Sequence, residues 1–197
     1  RNFGRAFVVA AVSLTLAACG INSVPTAEEN AKAKWADVEA QFQRRANLIP
    51  NLVEVTQGAA ENERAILTEV TEARARATSI NVSADDLGDA SKMQEFAAAQ
   101  GQLSQGLGRL LASFEAYPTI QSNQNYLALQ SQLEGTENRI AVAIRDYNEA
   151  VRQYNTTIRT FPDIIGANII HGADPFEPYQ ATTEGAEVAP EIDMTSN

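Results

Sequence analysis

The chain has 197 residues, with 25 acidic and 15 basic side chains, a single Cys and a single His. One cysteine excludes a disulfide scaffold and a cysteine-based zinc site. A net charge of -10 argues against nucleic acid as a partner, because an acidic surface repels phosphates, while a hydrophobic content of 44% is enough for one packed core.

The N-terminus carries Arg1 and Arg5, then a weakly polar run from Ala6 to Leu16, then Leu16-Ala17-Ala18-Cys19-Gly20. That is the pattern of a secretory signal over residues 1–18 ending in a lipobox. The apolar part is about 11 residues, where a membrane-spanning helix needs roughly 20. The only cysteine stands where a diacylglycerol group would be attached, so Cys19 is the expected lipidation site. Two or three acyl chains make such an anchor effectively permanent. The membrane is therefore the first expected partner, with the folded part on the periplasmic side. An uncleaved single-pass anchor in the inner membrane is the alternative. With Pro25, the polar stretch from Ile21 to Thr26 reads as a short tether, so residues 19–26 are expected to be lipidated Cys plus tether.

From Trp35 apolar or small residues recur at heptad spacing through Val38, Phe42, Ile49, Leu52, Ala59, Ile66, Val70, Ala73 and Ala77, with Arg45, Thr56 and Glu63 as imperfect positions. A period near 3.5 marks a helix seam facing other helices. Pro50 interrupts it, and a proline inside a helix loses a backbone bond and clashes one turn back. Asn47 would cap a new helix there, but the apolar phase passes through Pro50 unbroken, which favours a kink over a chain reversal. Residues 27–49 either extend the bundle towards the membrane as a stalk or fold back as a fourth helix. Ser79–Gly88 is a turn region. A second helix is expected over about Asp89–Glu115, ended by Pro118, and a third from Ser122 or Asn123 to about Thr160. The third carries the clearest seam, Tyr126, Leu129, Leu133, Thr136, Ile140, Ala143, Tyr147, Ala150, Tyr154, Thr157 and Phe161. At 1.5 Å per residue these helices span about 40 and about 57 Å, lengths that suit an all-α, antiparallel up-and-down bundle. Asp163–His171 has room for one or two more turns. The tail over 166–197, rich in Pro, Thr and Glu, is expected to be mostly disordered from about residue 180.

No catalytic constellation, cofactor motif or metal site stands out, so the protein is expected not to be an enzyme. His171 lacks an orienting partner in sequence, and with Asp174 and Glu177 it makes at best a weak metal site. Gly101, Gly106 and Gly108 lack the strand and the Lys-Ser/Thr ending of a phosphate loop, and close helix packing accounts for them better. Tyr147-Asn148 and Tyr154-Asn155 repeat seven residues apart, so a hydrogen-bonded polar layer inside the bundle is expected, with a polar ligand pocket as its functional version. Arg74 and Arg76 with Glu134, Glu137 and Arg139 are candidates for an interhelical charge network, or for solvated faces.

The ordered set Asn47-Leu-Ile-Pro-Asn-Leu-Val53, Tyr117-Pro118, Leu133-Glu-Gly-Thr-Glu-Asn-Arg-Ile-Ala141, Tyr147-Asn148, Val151, Tyr154-Asn155 and Phe161-Pro162 resembles the LemA family of bacterial envelope proteins, over about residues 27–165. The resemblance implies a four-helix-type bundle held to a membrane by its N-terminus, and it implies no reaction. Two features depart from the family pattern. A spanning helix is usual where this chain has a short signal and lipobox, and an Arg is usual after Ala143 where this chain has Ile144, so any polar interaction built on that arginine is expected to be absent or taken over by Arg145. The function expected is that of a non-catalytic scaffold or interaction module with an envelope protein partner. The alternative is an envelope small-ligand binder or enzyme using the Tyr/Asn/Arg/Glu layer.

Overall fold

The computed structural model of the protein describes residues 2–56 and 63–181, with side chains from residue 22 onward. Its described helices are α1 (Asn2–Thr56), α2 (Arg64–Ser79), α3 (Ala90–Phe114), α4 (Pro118–Gln121), α5 (Gln124–Thr157) and α6 (Asp163–Gly166). A 3-10 turn, Ala84–Asp86, precedes α3, and a π-helical turn, Ala167–His171, extends α6. No strand occurs among the described residues.

Local chemistry sets the helix starts. The Asp89 carboxylate accepts from the backbone N–H groups of Ser91 and Lys92 at 2.9 and 3.1 Å, and the Asn123 side chain accepts from those of Asn125 and Tyr126 at 2.9 and 3.3 Å. Each side chain satisfies amides that have no intrahelical acceptor. Pro118 holds Tyr117 extended and starts the single turn of α4 between the two long helices.

Pro50 lies inside α1, and the helix continues through it to Thr56. Chain reversal at Pro50 does not occur. The heptad run is nevertheless not one helix as far as Ala77: Leu67 and Val70 of α2 share a core with Ile49 and Leu52 of α1, so α2 lies alongside α1 rather than continuing it, and Ala59 of the expected seam lies outside the described residues. Heptad phase cannot distinguish one helix from two that face the same core. Pro50 has no N–H for the Ala46 carbonyl four residues earlier. The Arg74 side chain of α2 supplies the missing donor, its Nε bonding to that carbonyl at 2.7 Å.

Long helices pack side by side in an all-α bundle. α1 runs antiparallel to α5, as the successive pairs Trp35 with Tyr147 and Arg45 with Glu137 show. α2 runs antiparallel to α3, joined by the Arg109–Glu69 ion pair and by Tyr117, whose hydroxyl bonds to Glu63 at 3.0 Å. Residues 27–49 therefore belong to the bundle and are not a separate stalk. A Cβ at Gly106 would meet the Val70 side chain at 3.4 Å, the tight edge of van der Waals contact, whereas Gly108 is exposed with nothing near the place of a Cβ, so close packing bears on the first glycine and not on the second.

The core divides into three clusters along the axis. One gathers Leu52, Leu103, Leu107, Leu110, Phe114 and Tyr126; the second Trp35, Phe42, Met93, Phe96, Tyr147 and Tyr179; the third Val24, Tyr154, Ile158 and Ala167. Two elements depart from expectation. Residues 22–26, read as an irregular tether, continue α1, with Val24 buried and the Ser23 hydroxyl donating to Asp163 at 2.6 Å. After Gly172, whose positive φ of 56° closes the π-helical turn, residues 173–181 run back along α5 as an extended strap rather than leaving the fold. The expected disorder from about residue 180 falls mainly on residues 182–197, which lie outside the described residues. The side chain of Cys19 lies outside them as well.

Candidate functional site

Tyr147 and Tyr154 occupy the buried seam of α5, with Asn148 and Asn155 one position round the helix and half-buried. Their partners are not one another but the backbone of the strap. Asn155 accepts from the Phe176 N–H at 2.9 Å and donates to the Phe176 carbonyl at 2.8 Å. Asn148 does the same to Tyr179, at 2.8 and 3.0 Å. The Tyr154 hydroxyl donates to the Asp174 carbonyl at 3.0 Å and the Tyr147 hydroxyl to the Glu177 carbonyl at 2.8 Å. Each Tyr-Asn pair thus reads one carbonyl and, two residues further on, both the N–H and the carbonyl of one residue.

The two registers match. Seven residues of α5 advance about 10.5 Å, and three residues of extended or polyproline II chain advance about 9.3 to 10 Å. The strap sequence, Asp174-Pro175-Phe176-Glu177-Pro178-Tyr179, is itself a tripeptide repeat of acid, proline and aromatic residue. Each proline fixes its own φ and keeps the residue before it extended. It also stands where no donor is needed, so both N–H groups at the Asn positions remain available. The aromatic residues fill the gaps: Phe176 lies on Tyr154 with ring centroids 4.5 Å apart, and Tyr179 is buried against Phe42 at 5.8 Å. One further backbone bond, Glu177 N–H to the Leu87 carbonyl at 2.8 Å, ties the strap to the loop before α3. Burial pushes the Tyr147 phenol well above its ordinary range. It pushes Tyr154 up to about 12, with the nearby charges of Glu28 and Asp174 acting the same way. Both phenols stay protonated at neutral pH.

Beyond Tyr179 lies a polar layer that joins all four long helices. Arg45, only 1% exposed, bonds to the Gln100 side chain at 2.6 Å and its carbonyl at 3.2 Å, to Ser104 at 2.6 Å and to Glu137 at 3.1 Å. Gln100 in turn donates to the Ala77 carbonyl of α2 at 3.2 Å. The Arg45 guanidinium also sits 5.0 Å from the Phe42 ring centre. A buried charge is tolerated only when paired and hydrogen-bonded, and here nearly every donor is engaged, with Nε alone lacking an acceptor. A cavity of about 380 Å³ adjoins this layer, lined by Arg45, Ser104, Glu137, Ile144, Tyr179 and others, so the strap forms one of its walls. The Tyr179 phenol is raised to about 12 by burial, opposed by Arg45 and assisted by Glu137.

The expected charge network does not assemble. Arg74 serves Ala46, Glu137 serves Arg45, Glu134 accepts from Gln130 on its own helix at 3.2 Å, and Arg139 bonds to the Gly135 carbonyl at 3.2 Å. Arg145 pairs with neighbouring Asp146 on an exposed face and takes no core role. Arg45 and the strap are the functional residues the sequence reading missed. The first was visible as a charge on an apolar seam, and the second as the acid-proline-aromatic repeat.

A family model described as the LemA family matches residues 34–194. The chain belongs to the LemA family. The match passes residue 165, where the motif resemblance stops, so the strap lies within the LemA region. Two relatives named magnetosome protein MamQ, one from Paramagnetospirillum magneticum and one from Magnetospirillum gryphiswaldense, are 32% and 31% identical over 157 residues, covering 72% of this chain and 58% of theirs. A protein named LemA from Metamycoplasma hominis is 25% identical over 124 residues, covering 63% of this chain and 52% of that protein. The chain thus spans little more than half the length of these relatives. Among the described residues, no helix of this LemA-family chain is long and apolar enough to cross a membrane.

Proposed function

We propose that this LemA-family protein is a membrane-anchored, non-catalytic interaction module of the cell envelope, lipidated at Cys19 with its bundle on the periplasmic side. One observation carries the reading: the Tyr-Asn ladder of α5 grips an extended chain almost entirely through backbone atoms, which is machinery for holding peptide. The basic and apolar N-terminus with its single cysteine supports the anchor. The small-ligand or enzyme alternative would have to use the cavity of about 380 Å³ beside Arg45 and Tyr179, because the hydroxyls of Tyr147 and Tyr154 bond to the strap and do not line that cavity. The test combines membrane fractionation with in-cell crosslinking. Cys19→Ala should release a folded protein into the soluble fraction, and Asn148→Ala with Asn155→Ala should erase a discrete crosslinked adduct while leaving the membrane association unchanged. Retention of the Cys19→Ala protein in the membrane would refute lipid anchoring and favour the single-pass alternative. An adduct pattern indifferent to both asparagines would refute the ladder's role.

A further inference from the structure

Four of the six large apolar side chains that stand exposed among the described residues fall within ten positions of one another, at one end of the bundle: Phe161 (72%), Ile165 (50%), Ile169 (79%) and Ile170 (57%). They line α6 and its π-helical turn. The opposite side of the same segment is buried, Gly166 being covered and Ala167 packing in one cluster with Val24 and Ile158. Between Thr160 and His171 the only charged residue is Asp163, whose carboxylate is occupied by the Ser23 hydroxyl at 2.6 Å. Apart from Asp163, no charged side chain in this stretch holds that end in water, and an apolar patch of this kind marks a contact surface.

The Ser23–Asp163 bond also says what the patch faces. It fixes α6 to the first turns of α1 whose side chains are described, and residue 19 lies four helical residues before Ser23, about 6 Å along the axis. The chain that precedes Ser23 is the basic and apolar segment with the lipobox. Lipidated or uncleaved, that anchor delivers a bilayer to this end of the bundle and to no other. We infer that α6 and the π-helical turn form a lipid-contacting foot, with Phe161, Ile165, Ile169 and Ile170 seated in the headgroup and upper acyl region of the membrane that holds the N-terminus. Interfacial segments bury their apolar face about 5–10 Å deep. The lipid contact is hydrophobic, so it needs no anionic headgroup, in keeping with the net charge of -10.

This inference rests on the anchoring reading above, and the test separates the two. The full chain is reconstituted into phosphatidylcholine vesicles containing lipid brominated near the top of the acyl chain, which quenches indole fluorescence only at that depth. Trp35 is buried in the bundle core and serves as the internal unquenched reference. Ile169→Trp and, separately, Ile170→Trp should each lose at least half of the added indole emission. Leu127→Trp, exposed at the far end of the bundle, should lose none. If the protein does not float with vesicles, anchoring itself has failed. If it floats but both foot indoles stay unquenched, or if Leu127→Trp is quenched equally, the foot is refuted while the anchor stands. The same holds if a second copy covers the patch, as intermolecular crosslinking between copies at position 169 without quenching would show.

Discussion

Removing the Arg74 side chain tests whether Pro50 is tolerated for the reason the structure gives. Ala46 is 2% exposed, so when Arg74→Ala withdraws the Nε donor, water has little access to the freed carbonyl. A buried acceptor left without a partner costs about 1–3 kcal/mol. Pro50→Ala, by contrast, restores the backbone N–H that an α-helix would offer to Ala46 and removes a residue worth up to about 3 kcal/mol in helix propensity. In that background Arg74 becomes dispensable, and Arg74→Ala should then cost no more than about 0.5 kcal/mol, since a partly exposed side chain without a unique partner contributes little. The assay is a double-mutant cycle of urea unfolding followed by helical circular dichroism. A coupling of about 1–2 kcal/mol is expected. Additivity within about 0.5 kcal/mol, the usual behaviour of independent sites, would refute the exchange of donors.

Two further outcomes follow from the same contacts. The phenols of Tyr154 and Tyr179 are raised to about 12 in the fold from an ordinary value of 10.0, so the folded state keeps protons that the unfolded chain gives up. Their contribution is therefore complete below pH 10 and is lost as the pH climbs towards 12. Urea midpoints measured across that window should fall accordingly, and Tyr154→Phe should flatten part of the slope; a level profile would contradict the burial of the ladder. Gly108→Ala should raise stability by about 1 kcal/mol, because Gly108 is exposed within α3 and nothing lies near the place of its Cβ. A loss on thermal unfolding would show that some packing role attaches to this glycine after all.

Helical periodicity made most of the bundle legible. The seam is buried from Tyr126 to Tyr154 as its spacing requires, but Phe161, read as its last member, lies beyond the end of α5 at Thr157 and is exposed, because the helical phase stops with the helix; Asp89 and Asn123 start α3 and α5 where their capping chemistry places them. The side-by-side packing of α1 and α2 was not legible, because apolar phase reports which face is buried and not which way the chain is travelling. Arg45 was visible only as a flaw in the α1 seam. Its meaning depends on Gln100, Ser104 and Glu137 arriving from two other helices, which no local pattern encodes.

The strap shows why composition misleads at the C-terminal end. Counting apolar residues predicts that such a segment cannot offset its ordering entropy. That estimate charges the segment as a free chain. Pro175 and Pro178 have already removed much of the freedom to be lost, and the cost of desolvating its peptide groups is met by Tyr147, Asn148, Tyr154 and Asn155. Two aromatic side chains then suffice. The information that orders residues 173–181 is therefore split between two repeats, one of seven residues on α5 and one of three residues on the strap, and neither has a structural meaning until the other is laid beside it.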